Sequence, residues 1–187
     1  MNDHPGLVPT NQPIHLEIAD GDRILRFNYA QALDFHQGNS YWGCALAFRM
    51  LQRAAPLLSQ KRLWDRNRLQ VVSGHPGPGV RDTLELVTGC VSDGRFSLEG
   101  GPRAARCVGD MAYRWRLSDA TSELRLQLAD GIVDPGFLQL LDKIDKAPAS
   151  EHDKAVLEEY KQSMTQTIWD MSLEQAFPDA SLKSLPL

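Results

Sequence analysis

Met111-Ala112-Tyr113-Arg114-Trp115-Arg116-Leu117 and Leu124-Arg125-Leu126-Gln127-Leu128 decide the fold class. In the first stretch Met111, Tyr113, Trp115 and Leu117 alternate with Arg114 and Arg116; in the second, three leucines alternate with Arg125 and Gln127. Successive strand side chains point to opposite faces, so this alternation describes strands with one buried and one wet face. The two pair as an antiparallel hairpin. Near the start, Ile14, Leu16 and Ile18 alternate with His15 and Glu17, and Asp20-Gly21 then precedes Ile24-Leu25, which predicts a second hairpin.

The rest of the chain carries helical spacing. Asn28 is placed to cap a short helix through Leu33, and after the polar break at Gln37 to Ser40 a longer one runs from about Trp42 to Leu58. Leu46, Met50, Ala54 and Leu58 form its apolar stripe, and Pro56 predicts a kink or an early stop. Leu69 to Ser73 reads as a strand entering the loop Gly74-His75-Pro76-Gly77-Pro78-Gly79, and a helix over Arg81 to Thr88 follows, closed by Gly89. Asp134-Pro135-Gly136 opens another helix through Ile144, and Ala147 to Ser150 separates it from a final helix capped near Ser150 or Asp153. Val156, Leu157, Tyr160, Met164, Ile168 and Met171 mark its stripe. At about 25 residues, roughly 37 Å, it is long enough either to contact a second copy in a dimer or to lie across its own sheet. Helices with an antiparallel or mixed sheet make an α+β fold: a core over residues 1–147, then a C-terminal helix and tail over 148–187.

The chain has 187 residues and a net charge of −4, which suits one ordinary globular domain and offers no basic field for nucleic acid. No apolar run approaches the roughly 20 residues that span a bilayer, and the opening MNDHPGLVPT lacks the basic and apolar regions of a leader, so a cytoplasmic location away from membranes is expected. Cys44, Cys90 and Cys107 are an odd number at wide spacing, which speaks for reduced thiols rather than a disulfide framework or a zinc knuckle.

Two of the five histidines sit where chemistry is plausible: His36, before a glycine-containing break, and His75, in the strand-to-helix loop. His4, His15 and His152 read as solvated. The His75 loop is either a tight connection stiffened by proline or a ligand-lining segment, since glycine lets backbone approach a ligand and a helix N-terminus favours anions. Asp82 and Glu85, early in the helix that follows, stabilise its positive end. Cys90 follows that helix at once; a free cysteine is more often a small buried hydrophobe than a ligand, and Cys44 and Cys107 take that reading too. There is no Walker loop, Gly-x-Ser-x-Gly elbow, His-Glu-x-x-His or dinucleotide fingerprint.

Two blocks carry a family resemblance. Phe35-His36-Gln37-Gly38, with Gly43 and Ala45-Leu46-Ala47-Phe48-Arg49, resembles the Phe-His-Gly-His-x-Cys-Pro-Gly segment leading into Ala-Leu-Gly-Tyr-Arg of the FmdE family of formylmethanofuran dehydrogenase components. Gly79-Val80-Arg81-Asp82-Thr83-Leu84-Glu85, then Thr88-Gly89-Cys90-Val91 and Gly94-Arg95, is similar to that family's Cys-x-x-Asp-Ala-Ile-Gln helix followed by Gly-Cys-Thr and Gly-Lys-Gly. The resemblance implies a mixed-sheet α+β core, a homodimer and a metal pocket built from the His and Cys positions of the two blocks. The family takes its name from one component of a tungsten or molybdenum oxidoreductase, so a larger redox complex is a possible partner.

The chain departs from the pattern at the ligands. Asn39 stands near the family's second His, Tyr41 at the Cys of Cys-Pro-Gly, and Gly79 at the Cys of the second block; no cysteine after Cys107 remains for a C-terminal zinc finger. His36 and Cys90 are retained, and His75 is placed to substitute. Three readings follow: an FmdE-like protein binding zinc or another divalent transition metal through His36, His75 and Cys90; a non-catalytic accessory or interaction subunit with a degenerate metal pocket; or an enzyme with His75 as general base, oriented by Asp82 or Glu85.

Overall fold

A computed structural model describes residues 15–100 and 111–186; Ile14, His4 and Cys107 lie outside them. The arginine-bearing stretches become β5 (Arg114–Ser118) and β6 (Ser122–Gln127), antiparallel with Trp115 opposite Leu126 and Leu117 opposite Leu124. All four of these side chains are buried, while Arg114, Arg116 and Arg125 stand on the wet face, where Glu123 pairs with both Arg116 and Arg125. One face is therefore core and the other charged, as the period-two pattern predicts. β3 (Gln70–Ser73) lies antiparallel to β5, β4 (Phe96–Leu98) adds parallel to β3, and β7 (Ser181–Ser184) adds antiparallel to β6. The order is β4-β3-β5-β6-β7, a mixed sheet. β1 (His15–Asp20) and β2 (Arg23–Asn28) form the separate N-terminal hairpin, turned by Gly21 at φ 59.

The parallel β3–β4 pair needs a crossover, and α3 (Pro78–Thr88) supplies it. Before it come α1 (Tyr29–His36), closed at its start by an Asn28–Gln31 capping box, and α2 (Tyr41–Leu58). Between β6 and β7 come α4 (Pro135–Lys146), α5 (Glu151–Asp170) and the single turn α6 (Leu173–Ala176). The Ser150–Asp153 capping box fixes the start of α5.

α2 is the centre of the molecule. Thirteen of its 18 residues are buried, because α1, α3, α5 and the sheet surround it, so the single stripe expected from the sequence is replaced by near all-round burial. Pro56 ends nothing: the helix continues to Leu58. α5, with 20 residues rather than about 25, packs on α2 within the same chain through Met164, Ile168 and Trp169. The seam is closed by Arg49, 1% exposed, whose Nε donates to the Ile168 carbonyl (3.2 Å) and Nη2 to that of Met171 (2.5 Å), with the guanidinium 5.1 Å from the Trp169 ring centroid. An arginine in the middle of α2 thus caps the C-terminal end of α5, where carbonyls lack helical partners. Burial draws the Arg49 pKa down to about 10. No helix among the described residues is long and apolar enough to cross a membrane.

Candidate functional site

The two resembling blocks meet where α2 and α3 begin side by side. Glycines make that approach possible: a Cβ on Gly79 would sit 2.2 Å from the Ser40 carbonyl oxygen and 3.1 Å from Cys44 Sγ, and one on Gly43 would sit 3.1 Å from Val80 N. Any side chain at Gly79 meets backbone, which cannot swing aside. Cys44 is buried in this seam and its thiol is pushed up to about 12, chiefly by desolvation.

His36, the last residue of α1, stands against the same seam with its side chain 7% exposed. Its Nδ1 bonds Asp82 Oδ2 of α3 at 2.7 Å, and its Nε2 accepts the Ser40 N–H at 3.1 Å. Because Nε2 must present a lone pair to that N–H, the ring carries its proton on Nδ1. Gln37, at φ 51, and Gly38 make the tight turn that folds the chain back over the ring. His36 thereby ties α1 to α3 and caps the entry to α2, with both nitrogens used.

Tyr41 turns away from the seam towards α5. Its hydroxyl donates to Glu158 Oε1 (2.6 Å); Lys161 Nζ contacts Glu158 Oε2 (2.5 Å), donates to the Asn39 carbonyl (2.9 Å) and lies 5.1 Å from the Tyr41 ring centroid. Burial first, and then the Glu158 hydrogen bond, push the Tyr41 pKa upward. For Glu158, desolvation pushes upward too, but the hydrogen bonds from Lys161 and Tyr41 outweigh it and the pKa is lowered.

His75 is 5% exposed in the loop between β3 and α3. Ser73 Oγ donates to the His75 carbonyl (2.8 Å) and accepts the His75 N–H (3.1 Å), while His75 Nδ1 accepts the Gly77 N–H (3.0 Å). The neutral ring therefore holds its proton on Nε2, which has no hydrogen-bond partner among the described residues; burial draws the pKa down to about 4. Tyr113 packs edge-on at 4.9 Å. The ring lines a cavity of about 150 Å³ between the starts of α2 and α3, α4 and α5, together with Trp42, Phe137, Leu141, Leu157 and Lys161.

Cys90 is buried at the far end of α3, beside Thr88, and burial raises its pKa. Along 11 residues at 1.5 Å each, about 16 Å separates it from the end that holds His36 and His75. The expected set of His36, His75 and Cys90 is not gathered, and among the described residues no three His, Cys, Asp or Glu side chains form a metal-holding group. Among the described residues the expected zinc set is not assembled, since both nitrogens of His36 are engaged and the Cys90 thiol sits at the far end of α3. Asp82 orients His36 rather than His75, and Glu85 accepts the Val91 and Ser92 N–H groups beyond the helix end (2.8 and 3.1 Å), so neither positions His75 as a base. Sequence reasoning placed Tyr41 only as a lost ligand and missed Trp42 and Lys161, because the contacts of Tyr41 and Lys161 depend on α5 reaching the start of α2. No family model and no curated protein matches the chain.

Proposed function

We propose that this chain is a non-catalytic accessory or interaction subunit built on an FmdE-like core, with a degenerate metal pocket, and that it acts as a homodimer. The observation that carries the reading is that the resemblance's ligand positions do mechanical work. Gly79 admits the α2 backbone, Tyr41 clamps α5 through Glu158, and His36 has both nitrogens engaged by Asp82 and Ser40. A metal ligand needs a free lone pair facing the ion, and a neighbouring donor that consumes it removes the ligand. The order and separation of the two blocks support the family reading. For the partner surface, Ile24 and Phe35 are large apolar side chains, 63% and 48% exposed, on neighbouring β2 and α1.

Elemental analysis of purified untagged protein, with light scattering on the same sample, tests this. A folded dimer with well under one transition metal per chain is expected. About one zinc per chain, lost together with His36→Ala or His75→Asn, would replace this reading with the metal-binding one.

A further inference from the structure

The cavity beside His75 is lined by several donors that lack an acceptor among the described residues. Ser40, at the N-cap of α2, makes no side-chain cap, and Gly77, at the N-cap of α3, has no side chain with which to make one. The Trp42, Gly43 and Gly79 amide N–H groups therefore find no acceptor among the described residues, and all three residues line the cavity. One buried side chain adds a donor to the same space independently of the helix ends. His75 is 5% exposed, its Nδ1 is tied to Gly77 N–H, and the remaining edge of the ring carries an unpartnered Nε2–H on the cavity wall. Buried donors left unsatisfied are costly, and several converging on one space mark a place for an acceptor.

Charge and shape narrow the ligand. Two helix N-termini contribute partial positive charge, Lys161 adds a cation shared with Glu158, and no Asp or Glu stands among the lining residues. The opposite wall, Met111, Phe137, Leu141 and Leu157, is apolar. At about 150 Å³ the space suits a ligand of roughly six to eight non-hydrogen atoms.

We infer that this cavity binds a small monocarboxylate with a short branched or cyclic apolar tail, its carboxylate accepting from His75 Nε2–H and the first-turn amides of α2 and α3. The inference uses the same pocket as the proposed function, goes beyond it, and needs no metal. A free phosphate would satisfy the donors but leave the apolar wall uncovered.

Titration of the full chain with 3-methylbutanoate, in buffer containing a chelator, is read by tryptophan fluorescence and by the amide resonances of Gly43 and Gly79. The expected result is saturable binding in the millimolar range or tighter. The neutral 3-methylbutanamide and inorganic phosphate should each bind about tenfold more weakly or worse, since the site asks for both a charge and an apolar tail. His75→Asn keeps an acceptor for Gly77 N–H but removes Nε2–H, and should weaken binding about tenfold with an unchanged fold. Leu157→Phe, which fills the cavity, should abolish binding. Equal affinity for the amide, equal affinity for phosphate, or no saturable change with or without added zinc would overturn the inference alone. Binding that requires zinc would overturn both the inference and the proposed function.

Discussion

Gly79→Ala puts one methyl group into the α2–α3 seam, and the structure fixes what it meets. The new Cβ would lie 2.2 Å from the Ser40 carbonyl oxygen, 2.9 Å from Cys44 N and 3.1 Å from Cys44 Sγ. Carbon and carbonyl oxygen normally approach no closer than about 3.3 Å, so the helix starts must part by about 1 Å. Overpacking of this kind costs about 1–3 kcal/mol, and the upper end applies because two of the three atoms are backbone. Alanine regains up to about 1 kcal/mol of helix propensity, leaving a net loss of roughly 2 kcal/mol. Urea unfolding followed by tryptophan fluorescence should show a midpoint lower by about 1 M at unchanged slope. Gly43→Ala, whose tightest contact is 3.1 Å to Val80 N, should lose about half as much. An alanine at Gly79 as stable as the parent protein would refute the seam, and with it the claim that the position has no room for a ligating cysteine.

His75 has a folded pKa of about 4 against an ordinary 6.5, so between those values the unfolded chain binds a proton that the folded chain refuses; stability is full above pH 6.5 and falls as pH drops towards 4, by up to about 3 kcal/mol. Urea midpoints measured across that window should flatten in His75→Asn relative to the parent, and parallel curves would exclude a buried neutral ring. Arg49→Met strands the Ile168 and Met171 carbonyls and should cost about 3 kcal/mol, with Arg49→Lys recovering little because one ammonium cannot span both; a stability change under about 0.5 kcal/mol in calorimetry contradicts the capping role. Tyr41→Phe removes the donor to Glu158 Oε1 and should lower stability by about 1–2 kcal/mol, an effect that vanishes in a Glu158→Gln background if the pair is the cause.

The hairpins, the capped starts of α1 and α5, and the Gly89 helix end were legible because each depends on neighbours a few residues away. Asn28 and Ser150 each cap with a partner three residues on, and Gly89 takes φ 62. Less local features were not legible. β4 and β7 are short edge strands whose existence depends on β3 and β6 offering hydrogen bonds. α3 begins three residues earlier than its apolar spacing suggests, since Pro78 serves as its first residue despite contributing nothing to a stripe. His36 and His75 stand out in the sequence by their places beside glycine-containing breaks, yet their tautomers depend on Ser40 N–H and Gly77 N–H, which spacing alone does not reveal. The cavity needed α4 and α5 to complete its walls, and their approach to the start of α2 is a long-range event.

The fold holds the two histidines in opposite tautomers, and the ligand proposed for the cavity depends on the one at His75. Long-range proton–nitrogen-15 NMR of the imidazole rings measures it directly. The expected spectra show a proton on Nδ1 of His36 and on Nε2 of His75, both unchanged on adding one equivalent of zinc. A His36 ring protonated at Nε2, or zinc-induced shifts of either ring's nitrogens, would contradict it.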